Sequence, residues 1–480
     1  MKKYIMSLLI TILLVCLLVG CGGNNNSSKP NGNGDKKWQG EELFISARKA
    51  GYGQWLDDYA TLFEDETGCE VNIVWDPNMN QTVRNIFNSS QYVLSDLYFG
   101  GVSDLWYKWA KDGLLYDIDG FDDLLQDEYK DLGTYNNKRY TLSAIASPLG
   151  FVYNQDLLDK IESNGAYVKG VFPETFEGLM DLCEAVNNSG LKVGNNDVKP
   201  MSWGGKVNEL NEIFRVFWAQ GNGGQDYTDY TNERGDVPTE RLFKNNKSLI
   251  NALTAMCELI ASDGSYSVNS VKGCLELDNI DQQKKFLNGE SVFCMTGGWF
   301  EVEMKDYITD ESPKYCFANI PLYDTEETVR TALINIPVEV FFVPKKAINP
   351  DIAVDFLKFV FSKENATSIH KKLGSPLTIK YEFTEDDYNA LSSDFAKQVT
   401  DVVKNCKPVL KFANNPMCMV GGVMGTILDS KGNTIDDIFS VKMMKKQSGY
   451  TINDIATIVE NNYIGYKLQW NDKLKAAGLK

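Results

Sequence analysis

Apolar and polar residues alternate along the first part of the chain in a pattern that predicts strands separated by helices. Leu43 to Ser46 has the composition of a strand, and apolar residues from Trp55 to Phe63 recur at helical spacing. A second strand follows at Val71 to Trp75, then a helix at about Thr82 to Ser90, then a strand at Leu94 to Phe99. This alternation predicts a mostly parallel sheet and therefore an α/β fold.

The three predicted strands end in polar loops at residues 46–54, 75–80 and 99–104. Ligands bind to parallel α/β sheets beyond the carboxyl ends of the strands. Candidate ligand contacts in these loops are Arg48, Tyr52, Gln54, Trp75 and Asp104. For the first three the alternative is the first turn of a helix, and Asp104 is equally suited to cap the helix that follows it.

The N-terminus has the features of a secretory signal. Lys2 and Lys3 precede an apolar run from Ile5 to Leu18, which is short for a membrane span. Leu18-Val19-Gly20-Cys21 resembles a bacterial lipobox, which implies cleavage after residue 20 and attachment of a diacylglycerol to the sulfur of Cys21. The alternative is an ordinary cleaved signal with Cys21 unmodified.

The segment after Cys21 consists almost entirely of small and polar residues. Such a composition cannot bury enough apolar surface to fold, so we predict a signal peptide at 1–20 and a lipidated flexible tether at 21–40. The protein is then expected outside the cytoplasm, anchored to the outer face of the cell membrane. Roughly 440 residues follow, more than one hydrophobic core usually holds, which predicts two lobes.

Charge and cysteine content exclude some classes of partner. The chain has 48 basic and 65 acidic residues, and this excess of acid argues against nucleic acid as a ligand. Of its ten cysteines, eight lie after Cys21, at long irregular spacings and with no Cys-x-x-Cys. Several have apolar neighbours, as Cys294 does, so we predict mostly free, buried thiols.

Catalytic motifs are not found. His370 is the only histidine, which excludes any multi-histidine metal site and any catalytic triad not built on that residue. The chain has no phosphate-binding loop, no dinucleotide fingerprint and no Gly-x-Ser-x-Gly. Carboxylate pairs of a glycosidase cannot be recognised among 65 acidic residues. We therefore predict a protein that is not an enzyme and that needs no metal or cofactor.

A series of short motifs occurs in a fixed order between about Phe44 and Phe361. They are Gly113-Leu114-Leu115, Phe151–Leu158 with its Tyr-Asn-x-Asp-Leu, Pro173–Glu177, Phe286–Met295, Gly297-Gly298-Trp299, Val343-Pro344-Lys345 and Ala353–Phe359. In this order they resemble the extracellular solute-binding proteins of bacterial carbohydrate ABC transporters, a family similar to maltose-binding protein. One departure is Phe176, where the family has Trp.

The resemblance implies a type II periplasmic-binding-protein-like fold, with two lobes of mixed sheets flanked by helices and a hinged cleft between them. It implies crossings near Ala146, Ile320 and Ser362. The N-terminal lobe would hold 41–146 plus 321–361, and the C-terminal lobe 147–320 plus 362–480. After residue 375 the resemblance is loose.

The same resemblance implies a sugar-stacking role for Trp299, which follows two glycines at the end of an apolar strand. The alternative is a tryptophan that caps a core. Trp203, in a glycine-flanked loop, fits a site and a core equally well, whereas Trp218 lies on an apolar helical stripe that favours the core. Glu339 lies on an apolar strand, where a carboxylate needs a ligand or an arginine partner.

The predicted function is capture of a carbohydrate, an oligosaccharide more than a monosaccharide, by hinge closure and its delivery to an ABC importer. Partners would be the sugar, the permease subunits and, through the lipid, the membrane, with the protein itself a monomer. Two other classes stay open: a binding protein for a polyamine or ferric ion, and a surface glycosidase or adhesin.

Overall fold

A computed structural model describes residues 36–48, 55–89, 95–101, 106–207, 209–232, 246–260, 268–336 and 339–411, with isolated positions at 452, 456–457 and 460–461. Its strands are β1 Glu42–Ala47, β2 Glu70–Trp75, β3 Leu97–Gly100, β4 Thr134–Tyr135, β5 Lys138–Arg139, β6 Thr141–Leu142, β7 Leu149–Asn154, β8 Lys192–Val193, β9 Asn196–Asp197, β10 Lys199–Ser202, β11 Ser291–Gly297, β12 Tyr315–Ala318, β13 Thr331–Ile334, β14 Val340–Phe342 and β15 Lys407–Leu410.

The helices that these strands alternate with are α1 Leu56–Thr67, α2 Met79–Ser89, α3 Trp106–Lys111, α4 Gln155–Leu158, α5 Phe176–Asn188, α6 Glu209–Trp218, α7 Gln225–Asn232, α8 Lys247–Ile260, α9 Asn279–Leu287, α10 Phe300–Met304, α11 Pro350–Val360, α12 Lys363–Leu373, α13 Glu385–Asn389 and α14 Asp394–Asn405. The predicted order of strands and helices up to β3 is confirmed, with ends that differ by a few residues.

The first sheet has the strand order β2-β1-β3-β14-β6. β1 lies parallel to both β2 and β3, as predicted, while β14 is antiparallel to β3. Because β14 runs the other way, its first residue, Val340, pairs with Gly100 at the end of β3. The start of β14 therefore lies at the edge where β1 and β3 end.

The helices that flank the first sheet bury aromatic side chains against it. Trp55, Phe63 and Phe356 are buried there, and the rings of the two phenylalanines meet edge to face at 5.3 Å. α1 ends at Gly68, whose φ of 75° is left-handed, a conformation that glycine adopts without a Cβ clash. We call this buried set, which also includes α11 and α12, the first core.

The second sheet has the strand order β10-β11-β7-β12. β7 and β11 are antiparallel, so Gly297 at the end of β11 pairs with Leu149 at the start of β7. Residues of α5, α6 and α8 pack on this sheet and form the second core, in which Trp218 is fully buried, as its helical spacing predicts.

Residues 143–148 connect the first sheet to the second, and the chain returns to the first sheet between β13 and β14. These crossing segments lie side by side, since the amide of Asn335 donates to the carbonyl of Ser147 at 2.8 Å. A third segment joins them where Ala146 donates to the carbonyl of Pro376, also at 2.8 Å. Residues of the segment 321–334 contact the start of α5 and the residues that follow α6. The lobe boundaries given above stay a prediction.

Seven cysteines lie in the described part of the chain, and all are free. Five of these thiols are buried, as Cys294 is within β11, while Cys257 and Cys406 are half-buried. The prediction of mostly free, buried thiols is confirmed for these seven, and Cys418 lies outside the described residues. Among the helices that the structure describes, none combines the length and apolar character that crossing a bilayer requires.

Candidate functional site

An ion pair joins two strands at the carboxyl edge of the first sheet. Arg48 directly follows β1, and Glu339 directly precedes the antiparallel β14, so the sheet's topology brings both to the same edge. The Nη1 atom of Arg48 lies 3.4 Å from Oε1 of Glu339. The sequence analysis predicted that Glu339 needs a ligand or an arginine partner, and in the structure that partner is Arg48.

Trp299 lies at the junction of the two cores. It is half-buried and packs against side chains of both the first and the second core. A Cβ atom on Gly297 would overlap the six-membered ring of Trp299, and one on Gly298 would lie 2.7 Å from Oγ of Ser147. The two glycines are therefore needed for the ring to fold back over the end of β11 beside a crossing segment.

Glu303, one helical turn after Trp299 on α10, connects this tryptophan to the ion pair. Nε2 of Gln283 donates to Oε2 of Glu303 at 2.8 Å, and Nδ2 of Asn279 donates to Oε1 at 3.2 Å. Burial raises the pKa of Glu303, while Gln283, the positive charge of Arg48 and a hydrogen bond from the Trp299 side chain each lower it. Glu303 thus connects α9 and α10, which pack on the second sheet, with Arg48 of the first sheet.

The carboxylate of Glu339 is the most perturbed acid of this group. Burial raises its pKa to about 7, and the negative charge of Glu303 adds to the increase, although Arg48 acts against both. Perturbed carboxyl groups of this kind concentrate at functional sites. We call Arg48, Trp299, Glu303 and Glu339 the junction cluster.

A second group of charged side chains contacts the segment between β13 and β14 at Asn335. Lys411, which follows β15, contacts Oε1 of Glu212 at 3.0 Å and donates to Oδ1 of Asn335 at 3.1 Å. Arg215, one turn along α6, donates to the same Glu212 oxygen at 3.1 Å. Burial raises the pKa of Glu212, but the charges of Lys411 and Arg215 outweigh burial and leave that pKa lowered.

The structure places the other predicted site residues as follows. Trp203 is fully buried in the second core, and its Nε1 donates to Oγ of Ser270 at 2.9 Å. The flanking glycines therefore do not expose Trp203, and of its two interpretations the structure supports the core. Trp75 is half-buried at the end of β2, where it pairs with Ala47 and packs against the first core. Tyr52, Gln54, Asp104 and Cys21 lie outside the described residues.

Glu303 of the junction cluster and its partner Gln283 were not predicted from the sequence. The spacing of four residues from Trp299 to Glu303 places both on one face of a helix, and this is the one local signal that could have indicated a partnership. Gln283 has no such pattern, since α9 reaches the cluster only through packing. Its Oε1 atom is buried and has no hydrogen-bond partner among the described residues.

The junction cluster combines a flat apolar ring with hydrogen-bond acceptors and a guanidinium. An indole face binds C–H groups, carboxylates accept hydrogen bonds from hydroxyls, and a guanidinium donates to hydroxyl oxygens. The described residues hold no group of three or more histidine, cysteine or acidic side chains that could bind a metal ion. The chemistry of the cluster therefore suits a small polar organic solute.

Comparisons with known proteins show which fold and family the chain has. The chain has the fold of RafE from Streptococcus pneumoniae in its apo form, with a TM-score of 0.62, 15% identity, and coverage of 90% of this chain and 100% of the other. A structure of RafE in complex with raffinose matches with a TM-score of 0.62 and 14% identity over 88% of this chain and 99% of the other.

A protein described for xylan utilization by the thermophilic bacterium Caldanaerobius polysaccharolyticus matches with a TM-score of 0.65 and 14% identity, over 87% of this chain and 99% of the other. No curated protein sequence matches the chain. Residues 58–393 match the family model described as bacterial extracellular solute-binding protein. The chain therefore belongs to the bacterial extracellular solute-binding protein family.

Proposed function

We propose that this protein captures an oligosaccharide outside the cell and delivers it to an ABC importer. The observation that carries the proposal is the position of Trp299, which packs against both cores and bonds to the carboxylate of Glu303, whose charge interacts with Arg48 and Glu339. The raffinose complex of a protein with the same fold supports a sugar as the class of solute.

A sugar ring has an apolar face of C–H groups and an edge of hydroxyls. We propose that one ring stacks on the indole of Trp299 while its hydroxyls donate to Glu303 and Glu339 and accept from Arg48. Hydrogen bonds in which one partner is ionised are stronger than neutral ones, so these three side chains would orient the ring. We include Trp75, Tyr52, Gln54 and Asp104 in the proposed site as further contacts from the carboxyl edge of the first sheet.

Delivery requires two states of the protein. Contacts to the sugar from both sides of the junction would favour a closed arrangement of the two lobes, because a ligand shifts an equilibrium toward the state that it binds better. The closed form would then dock on the permease subunits. The proposal includes a monomer that carries out no catalysis and is held to the membrane by a diacylglycerol on Cys21.

Titration of intrinsic tryptophan fluorescence tests this proposal against the other classes. The titrants are raffinose, xylo-oligosaccharides and malto-oligosaccharides, with spermidine and ferric citrate as the competing ligand types. We expect saturable binding of at least one oligosaccharide with no change in its length on chromatography. Binding of spermidine or ferric ion alone, or cleavage of the sugar, would contradict the proposal.

The substitution Trp299→Ala tests whether the sugar stacks on this tryptophan. Loss of a stacked aromatic platform should weaken binding of the titrating oligosaccharide by about 10- to 100-fold, measured by isothermal titration calorimetry. Trp38→Ala is the matched control, because Trp38 is also a half-buried tryptophan of the first core but bonds to Asp355 away from the junction. Equal affinity of the two variants would rule out stacking on Trp299.

A further inference from the structure

Two amide side chains of α9 hold the carboxylate of Glu303 in the junction cluster. Asn279 and Gln283 are four residues apart, so both lie on the same side of α9. Nδ2 of Asn279 donates to Oε1 of Glu303 at 3.2 Å, and Nε2 of Gln283 donates to Oε2 at 2.8 Å. Each amide therefore binds a different oxygen, and together they restrict the rotation of the carboxylate. We call Asn279 and Gln283 the amide pair.

The orientation of the Gln283 amide is determined by its two acceptors. Its Nε2 atom also donates to the backbone carbonyl of Asn279 at 2.9 Å, so both protons of the amide group are used. Reversal of the amide would turn Oε1 toward the Glu303 carboxylate and this carbonyl, neither of which donates a hydrogen bond. Gln283 is only 1% exposed, so the side chains around it leave little freedom for another rotamer. Gln283 is therefore held as a donor to Glu303.

The Glu303 carboxylate keeps some capacity to accept hydrogen bonds after these contacts. A carboxylate can accept about four hydrogen bonds, and the amide pair donates two of them. The side chain of Trp299 donates a third. Glu303 is half-buried, so part of its side chain stays accessible. A hydroxyl of a solute that lies beside the ring of Trp299 can therefore add a further hydrogen bond.

The amide pair orients Glu303 without adding charge. Two charged groups act on this carboxylate across the junction: the guanidinium of Arg48, after β1, and the carboxyl group of Glu339, before β14. A lysine or arginine in place of Gln283 would neutralise Glu303 from the side of the second sheet, whereas neutral amides leave its negative charge in place. Ionised acceptors form stronger hydrogen bonds with hydroxyls than neutral acceptors do.

We propose that the amide pair positions Glu303 as a hydrogen-bond acceptor for a hydroxyl of the solute that binds at Trp299. This inference rests on the proposed function and adds to it two positioning residues that act through Glu303. Burial raises the pKa of Glu303 and the bond from Gln283 lowers it, so loss of that bond should raise the pKa further. Without Gln283 the carboxyl group would take up a proton at a higher pH, and the protonated oxygen would become a donor.

The test compares the pH dependence of sugar affinity in the full-length protein. Gln283→Met keeps the length of the side chain and removes its donor. Gln220→Met is the matched control, because Gln220 is also a buried glutamine that donates two hydrogen bonds, but to the backbone carbonyls of Ile320 and Pro321. The probes are raffinose, xylotriose and maltotriose, titrated by calorimetry at pH 5.5 and pH 8. Urea unfolding establishes that each variant is folded.

We expect Gln283→Met to weaken binding of the sugar by about tenfold at pH 5.5 and by no more than about threefold at pH 8, each relative to the wild type at the same pH. Glu339 titrates in this interval in both proteins, so the ratio of their affinities isolates the effect on Glu303. Asn279→Leu removes the longer bond at a half-buried position and should lose about threefold at pH 5.5. This second variant provides the test if Gln283→Met does not fold.

Three results would overturn the role of the amide pair and leave sugar capture intact. They are a loss in Gln283→Met that is the same at both pH values, a pH-dependent loss of equal size in Gln220→Met, and unchanged affinity in Asn279→Leu. Each would mean that the amides only pack α9 against α10. Absence of binding by the wild type to all three probes at both pH values would overturn both proposals.

Discussion

Gly297 controls the position of Trp299 because its missing side chain leaves the space that the indole ring occupies. Gly297→Ala should push the ring off the end of β11 and weaken oligosaccharide binding by about tenfold or more, measured by calorimetry. Gly178→Ala is the matched control, since a Cβ added to Gly178 would also be crowded, at 3.2 Å from Cβ of Pro173, but within α5. Unchanged affinity in the Gly297 variant would mean that the ring position does not matter for binding.

Glu339 should give the protein's stability a measurable dependence on pH. Its folded pKa of about 7 exceeds the ordinary glutamate value, so between about pH 4.5 and 7 the folded state keeps a proton that the unfolded state releases. The free energy of unfolding then falls as pH rises through that interval, by at most about 1.4 kcal/mol per pH unit from this group. Glu339→Gln should remove that part of the slope.

Urea unfolding at several pH values measures the Glu339 effect, and the slope of the variant is read against that of the wild type because other acids also titrate. Glu382→Gln, at an exposed glutamate, is the matched control. If Glu339→Gln leaves the slope unchanged, the carboxyl group is ionised in the folded protein throughout this range, and Arg48 stabilises it more than burial destabilises it.

Tryptophans illustrate what local sequence can predict about individual residues. Trp218 was assigned correctly because a helical stripe is a periodic pattern, and burial follows from it. Trp203 has glycine neighbours but no period, and its burial depends on Ser270, 67 positions away. The interaction of Glu303 with Arg48 likewise joins residues that are distant in sequence, so no local pattern predicts it.

At the level of elements, hydrophobic periodicity was sufficient for β1 to β3 and the helices between them, because each segment buries one face. It did not predict that β14 enters the first sheet antiparallel to β3. That reversal depends on how the chain returns to the first sheet after β13, far along the sequence from β3. It matters because it brings Glu339 to the edge of the sheet where Arg48 lies.

The Glu212–Lys411 ion pair connects three parts of the chain: α6, the end of β15 and the segment between β13 and β14 at Asn335. Glu212→Ala should cost about 3–5 kcal/mol of unfolding free energy in urea melts, because Lys411 would lose its carboxylate partner while staying buried. The double variant Glu212→Leu with Lys411→Met should regain most of this loss, since it removes both charges together.

Lys247→Met is the control for the buried pair, because it breaks an exposed ion pair with Asp324 and should leave the unfolding midpoint almost unchanged. A small effect of Glu212→Ala, no greater than that of Lys247→Met, would mean that water reaches Lys411 and that the crossing segment is not held by this pair.

On the scale of the whole molecule, the junction cluster forms only because two sheets and the segments that connect them bring its residues together. The cluster draws Arg48 and Glu339 from the first sheet and Trp299 and Glu303 from the end of β11 and α10, so no single element contains it. The family and the mixed α/β fold were predicted from ordered motifs spread over some three hundred residues. The lobe boundaries lack such motifs, because crossing segments are short and have no periodic pattern.

The proposed membrane attachment rests on one atom, the sulfur of Cys21. A thioether to diacylglycerol would add two acyl chains, which is the number that stable anchoring requires. Cys21→Ser should therefore abolish incorporation of labelled palmitate in cells, whereas Cys16→Ser, five positions earlier in the apolar run, should leave it unchanged. Labelling of the Cys21 variant would show that the lipobox resemblance is fortuitous. In that case capture of the solute would still follow from the family, but the protein would have to reach the importer by diffusion and not from a fixed place beside it.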